Sequence, residues 1–320
     1  MQSNAAGVVL MTYGSATTAK HVSEYMNHIY KGTAPESLVV DFEHRYSLVG
    51  GSPLIKITEK LAELLQKKLG GGYIVQSGMR HSEPFIEKAV ASCRLRGATR
   101  LIGIILSPQF SSFIMEGYRA DFLAAAKKHG FSESDVTIAP PWPAESHFTT
   151  LLARRVEESL SKLSRRRKTD ISVVFTTHSL PQRVVEKDPT YLRQLSQTIK
   201  AVRKKLALPS LKWHAAYQSA GHTPEVWLKP DLVDILAKLR DKKTPAILIV
   251  PIQFLTDHLE ILYDLDIAAK EQCKEYGIAY NRIKLPNTDP LFVAALVAIV
   301  KNMHQGIRAR YPLNHPQTPR

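Results

Sequence analysis

The chain has 320 residues and a formal net charge of +14, from 43 Lys and Arg against 29 Asp and Glu. Its 44% hydrophobic content is that of a globular protein, which excludes a disordered or collagen-like chain and leaves room for two domains of ordinary size. Only two cysteines are present, Cys93 and Cys273, far apart and in no CxxC spacing; that excludes a disulfide framework and any cluster held by four protein cysteines, and suits a reducing cytoplasm.

The basic balance favours anionic partners: nucleic acid, acidic lipid or a polycarboxylate ligand. No zinc-finger spacing, RNA-binding signature or P-loop accompanies it, so nucleic acid is not the expected partner. No apolar stretch reaches the roughly 18 residues that a membrane span needs. "MQSNAAGVVLMTYG" has no basic region ahead of its short apolar run and is expected to be a first strand, not a signal peptide.

"GVVLMTY" at 7–13 predicts a strand, followed by an amphipathic stretch from near Thr17. "SPLIKITEKLAELLQKKLG", from Ser52, predicts a helix: it has a cap, a proline in the first turn, apolar residues at helical spacing and a terminal glycine. "YIVQSG" is the next strand, then come a helix from about Glu83, the strand "RLIGIIL" at 100–106 and a helical segment near 116–128. The dense run "SRRRK" at 164–168 reads as a solvated connection in preference to a binding patch. A fresh cycle begins at "ISVVFTT" and continues through "LKWHAAYQ" and "AILIVPIQF" at 246–254. Near-continuous apolar strands alternating with helices indicate parallel sheets buried on both faces. The expected architecture is therefore two doubly wound α/β domains, residues 1–165 and 166–305, with a cleft between them. The basic, proline-containing tail at 306–320 is expected to fray.

Parallel strands gather their carboxyl ends on one side, where open α/β sheets place ligands. After the strands stand Tyr13-Gly14, Met79-Arg80-His81, Ser107 to Phe110, His178-Ser179, Tyr217-Gln218-Ser219 and Gln253 to Glu260. His178, in "FTTHSLP", is by itself either a hydrogen-bonded loop residue or a ligand, since neutral imidazole binds borderline metals and accepts a proton near neutral pH. "FLTDHLEILYDLD" at 254–266 carries most chemistry. Thr256 or Asp257 is expected to cap a helix on which Glu260 and Asp264 stand at i and i+4 on one face. Such a pair is either solvated surface or a divalent-cation site.

Together these segments resemble ferrochelatase, the enzyme family that inserts Fe²⁺ into a porphyrin. "FTTHSLP", "YQSAGHTPEVWLKPDL" at 217–232 and "DHLEILYDLD" at 257–266 match the family's signatures in order and spacing. "GGSPLIKIT" at 50–58, "HSEPFIEKAV" at 81–90 and "LSPQFSSF" at 106–113 match its N-terminal half. The resemblance runs from about residue 7 to residue 304 and implies two flavodoxin-like (Rossmann-like) domains. It implies that His178 and Glu260 face the porphyrin centre, that these two with Asp264 handle the metal, and that no organic cofactor or iron–sulfur cluster is used. Tyr13, in "LMTYGS", matches the tyrosine of the Gram-positive group that uses the tetracarboxylate coproporphyrin III, where it is a candidate axial ligand to the product iron. Spacing alone equally allows a packed strand-end tyrosine.

By position, Tyr30, Lys31, Arg45, Tyr46, Ser52 and Tyr118 are the candidate porphyrin contacts. Arg45, outside the resemblance, reads as a surface ion-pair partner. The implied partners are coproporphyrin III, Fe²⁺ and a product-accepting heme-pathway enzyme, for a cytoplasmic monomer. Other readings are a protoporphyrin IX ferrochelatase, a sirohydrochlorin chelatase, or a tetrapyrrole carrier without turnover. The chain departs from the family at Tyr30-Lys31 (often paired arginines), Gln109 (often histidine), Ala220 and His222 (usually an acid and an amide), and Ala268, where a third carboxylate is usual.

Overall fold

The structure, a computed structural model, describes residues 5–162, 170–221 and 223–304. The tail, the "SRRRK" run and His222 lie outside the described residues. The first sheet consists of β1 (Ala5–Thr12), β2 (Tyr73–Met79), β3 (Ala98–Ile105) and β4 (Val136–Ile138), in the order β2-β1-β3-β4. The second consists of β5 (Ile171–His178), β6 (Lys212–Gln218), β7 (Ala246–Pro251) and β8 (Ala279–Arg282), in the equivalent order β6-β5-β7-β8. All six pairings are parallel: Val8 lies between Val75 and Ile102, and Phe175 between Ala215 and Val250. β1 is buried at every residue and β5 at all but its last, as strands covered by helices on both faces must be. That last residue is His178, which leaves the core as its strand ends.

The helices are α1 (Val22–Ile29), α2 (Glu36–Val49), α3 (Leu54–Leu69), α4 (Ile86–Leu95), α5 (Ser112–Lys128), α6 (Ser146–Lys162), α7 (Gln182–Lys187), α8 (Thr190–Leu206), α9 (Leu232–Asp241), α10 (Leu259–Leu262), α11 (Lys270–Glu275) and α12 (Pro290–His304). Each sheet's flanking helices are not confined to its own half. α6 packs on α8 and β7 of the second half, and α12 returns to pack on α3 and α6. One hydrophobic core accordingly runs from Val8, Leu61 and Ile104 through Phe148 and Leu152 to Phe175, Leu248 and Phe292. Each such fully buried side chain stabilises by about 1.5–3 kcal/mol, so the two sheets are tied firmly together. Near the cleft a smaller cluster joins Val22, Met26 and Tyr46 of the first half to Leu259 of the second.

The amphipathic stretch after Thr17 forms α1 and α2 with a turn between them. Three local expectations fail: α4 begins at Ile86, later than Glu83, whose carboxylate instead accepts from the Phe85 N–H at 3.3 Å. The expected helix through Glu260 and Asp264 is also not one α-helix. α10 gives way to a π-helical segment, Asp264–Ala269, in which the Ala268 N–H reaches the Tyr263 carbonyl at 2.9 Å. Nor does Asp257 or Thr256 cap it: His258 holds the cap position, and the Asp257 carboxylate accepts from Asn287 at 2.7 Å.

Candidate active site

His178 is fixed from behind. Its N–H donates to Gln253 Oε1 at 2.9 Å, and the hydroxyl of fully buried Tyr191 reaches both Gln253 Oε1 (2.7 Å) and the His178 carbonyl (2.8 Å). The imidazole Nδ1 contacts the Ser179 carbonyl oxygen. A carbonyl only accepts, so Nδ1 carries a proton, and in the neutral ring the lone pair is on Nε2. Nε2 points towards Glu260, whose Oε2 lies 3.7 Å away. That oxygen is shut off from solvent and has no hydrogen-bond partner among the described residues. A free lone pair facing an unsatisfied carboxylate oxygen is a place for a cation or a moving proton.

Asp264 stands on the π-helical segment and accepts from Ser219 Oγ at 2.6 Å. Burial, and next the charge of Glu260, push its carboxyl up to about 6, against the opposing Ser219 hydrogen bond, Arg45 and His178. Ser219 holds a left-handed φ of 55°, the deviation that turns its hydroxyl loop after β6 towards Asp264. Sequence reading named Ser219 only as a strand-end residue; two chain segments 45 positions apart carry no sequence signal of meeting. His258, beside Glu260, is half-buried with its ring centroid 5.2 Å from that of Phe254, and desolvation holds its pKa below the usual histidine value.

Tyr13 faces this group from the first half. It is 42% exposed, at the end of β1, with its ring 4.4 Å from that of His81. Gly14 follows with φ 96°; a Cβ there would lie 2.6 Å from Ser82 Oγ, so the turn that aims Tyr13 requires glycine. Burial raises the Tyr13 phenol, Arg80 opposes that, and the charge of Glu260 raises it further. Glu260 thus acts electrostatically across the cleft. His81 is pushed down to about 4 by burial, Arg80 and His28, whose Nδ1 lies 3.1 Å from its own. It is therefore neutral at pH 7.

The expected porphyrin contacts fall into two sets. Tyr30 is half-buried near Tyr13, and Lys31 is exposed with φ 53° at the end of α1. Tyr46 is buried, its hydroxyl 2.8 Å from Ser15 Oγ, and burial raises it to about 12. Ser52 is buried, with its hydroxyl accepting from the Leu54 N–H at 3.4 Å, and Tyr118 is buried beneath the Arg80 guanidinium. Arg45 pairs with Asp41 at 2.8 Å and lies against the rings of Phe42 and Tyr263. Gln109 is fully buried, away from the cleft surface: its amide donates to Thr198 Oγ1 at 2.9 Å and to the Ile252 carbonyl, joining the two halves.

A cavity of about 290 Å³ opens beside Asp264, lined by Arg45, Gln218, Ser219, Tyr263 and Ala268. A carboxylate in place of Ala268 would face this space. A second cavity, about 460 Å³, lies at Arg155, Arg282, Lys284 and Asp289 and includes neither His178 nor Glu260.

The ferrochelatase family model matches residues 5–304. A coproporphyrin III ferrochelatase of Anoxybacillus flavithermus is 33% identical over 310 residues, covering 94% of this chain and 97% of that protein. A ferrochelatase of Herpetosiphon aurantiacus is 34% identical over 299 residues, covering 92% and 97%. Among solved structures, SirB from Bacillus subtilis with Fe³⁺ superposes with a TM-score of 0.58 at 12% identity, over 93% of this chain and 95% of that one, a likeness of fold. With the family model spanning nearly every described residue and a His–Glu pair in a cleft of the chelatase fold, the chain belongs to the ferrochelatase family and is a metal chelatase.

Proposed function

We propose that the protein inserts Fe²⁺ into coproporphyrin III, releasing two protons, in heme biosynthesis in the cytoplasm. The observation that carries the reading is the free His178 Nε2 lone pair 3.7 Å from the unsatisfied Glu260 Oε2, with exposed Tyr13 on the other wall of the cleft. The porphyrin gives up two N–H protons as the dication enters, so charge is conserved. His178 Nε2 accepts one proton and Glu260 the other, and both ligate the incoming metal before transfer. A nitrogen and an oxygen 3.7 Å apart suit a first-row dication, which binds such donors at about 2.1 Å. Asp264, with a pKa of about 6, passes the protons on to the cavity beside Ala268. Tyr13 approaches the metal of the product from the opposite face.

The tetracarboxylate is preferred as substrate because Tyr13 is present, because the relatives at 33% identity include a coproporphyrin III ferrochelatase, and because the chain is strongly basic. Neither an organic cofactor nor an iron–sulfur cluster takes part in this scheme; among the described residues no helix is long and apolar enough to cross a membrane. Anaerobic Fe²⁺ insertion into coproporphyrin III and protoporphyrin IX, followed side by side by absorbance, tests the reading. Rapid conversion of the tetracarboxylate alone is expected. Preference for protoporphyrin would overturn the substrate, and tight binding with no conversion of either would leave a carrier.

A further inference from the structure

Arg80 follows β2, where its N–H donates to the Thr12 carbonyl and the next N–H, of His81, to the Tyr13 carbonyl, both at 2.9 Å. The two loops are thereby zipped together, which brings Arg80 near enough for its charge to act on the Tyr13 phenol. Its guanidinium is held on three sides. Nε donates to Asp121 Oδ2 at 3.1 Å, the Tyr118 ring lies beneath at 5.8 Å, and the backbone of α5 passes against it at Gly117. A Cβ at Gly117 would sit 2.0 Å from Arg80 Cζ and 2.1 and 2.3 Å from the two terminal nitrogens, so any side chain there displaces the guanidinium.

Both terminal nitrogens have no ion-pair or hydrogen-bond partner among the described residues, and the side chain keeps 28% of its surface open. Arg45 differs in which nitrogen is taken: its terminal Nη2 pairs with Asp41 at 2.8 Å, whereas Arg80 pairs through Nε. The expected arginine pair at the end of α1 is replaced by Tyr30 and Lys31. A guanidinium immobilised through Nε, with both terminal nitrogens unengaged, matches one carboxylate of a polycarboxylate substrate.

We propose that Arg80, seated on Gly117, is a carboxylate-binding subsite at the Tyr13 side of the cleft that takes one substrate propionate. The subsite rests on the porphyrin reading above and adds a residue to it. Arg80 donates its two terminal N–H groups to the carboxylate, while Asp121 keeps Nε and fixes the plane.

Fluorescence titration of coproporphyrin III and of its tetramethyl ester, against wild type, Arg80→Met, Arg80→Lys and Gly117→Ala, tests this. Arg80→Met is expected to weaken coproporphyrin binding about ten- to a hundredfold, the loss of a charged hydrogen-bond pair, and to leave ester binding unchanged. KM should rise with kcat within about threefold, and Arg80→Lys should recover part of the affinity, as a point charge without the fork does. Gly117→Ala should weaken coproporphyrin binding in the same way while its melting temperature holds or rises, because alanine favours a helix. Wild-type affinity in Arg80→Met, equal loss for the ester, or a tight-binding Gly117→Ala each overturns the subsite. Those results leave wild-type binding of coproporphyrin intact, whereas a wild type that binds no coproporphyrin overturns the functional reading with it.

Discussion

Asp264 is the residue whose chemistry departs most from its sequence appearance. Its carboxyl is raised to about 6 by burial and the Glu260 charge. A folded-state pKa above the unfolded value of about 3.9 means that the fold favours the protonated acid. Stability therefore falls as pH rises from about 4 to about 6, and the penalty is complete above that window. Asp264→Asn is expected to be more stable than wild type at pH 7.5 by about 1–2 kcal/mol, with the gain vanishing below about pH 4; thermal unfolding across that range measures it, and a pH-independent difference would contradict the assignment. The same variant should slow insertion. Tyr191→Phe removes the hydroxyl that links Gln253 to the His178 carbonyl. It should cost about 1 kcal/mol in chemical denaturation and lower the insertion rate several-fold, since the imidazole loses its support; unchanged stability would show that Gln253 holds His178 without it. Tyr191 could not be read from sequence as a supporting residue because it looks like core, and Gln253, legible as a strand-end residue, gave no sign that it holds His178.

At the scale of elements, sequence was most informative about strands. The runs ending near Tyr13, Ile105 and His178 are legible because buried parallel strands are uninterrupted apolar segments, and their ends set Tyr13 and His178 at the carboxyl edge of the sheets. The helix carrying Glu260 was legible as to side chains and not as to geometry. An α spacing puts residues i and i+4 on one face, but the π-helical segment at Asp264–Ala269 admits an extra residue per turn, and hydrophobic periodicity over so short a stretch does not distinguish the two. Deleting Ala268 should convert that segment towards an α-helix and carry Asp264 away from Ser219. The expected result is a folded protein with insertion slowed at least tenfold, checked by circular dichroism and initial rates; full activity would mean that the segment has no part in the reaction.

At the scale of the molecule, two sheets of equivalent order are locked by one core and by exchanged packing of α6 and α12. Alternation of strands and helices foretold the two sheets. It did not foretell the exchange, because which helix covers which sheet depends on contacts between distant segments that have no local pattern. Gln109 illustrates this: read as a departure near the site, it is a buried bridge to Thr198. The chain carries a formal net charge of +14. Association with a tetra-anionic porphyrin should be fast at low salt and fall by at least fivefold between about 0.01 and 0.15 M, as the Debye length shortens from about 30 to 8 Å. Stopped-flow fluorescence measures this, and a salt-independent rate would confine recognition to short-range contacts.

The central claim is that His178 and Glu260 together move the protons and the metal. Its most direct test is single-turnover Fe²⁺ insertion into pre-bound coproporphyrin III by wild type, His178→Ala, Glu260→Gln and the double variant, with porphyrin affinity measured in parallel. Loss of about 10²–10⁴ in rate in each single variant, little further loss in the double, and porphyrin affinity within a few-fold of wild type are the predicted results. Variants that insert iron at the wild-type rate, or that fail only because porphyrin no longer binds, would contradict it.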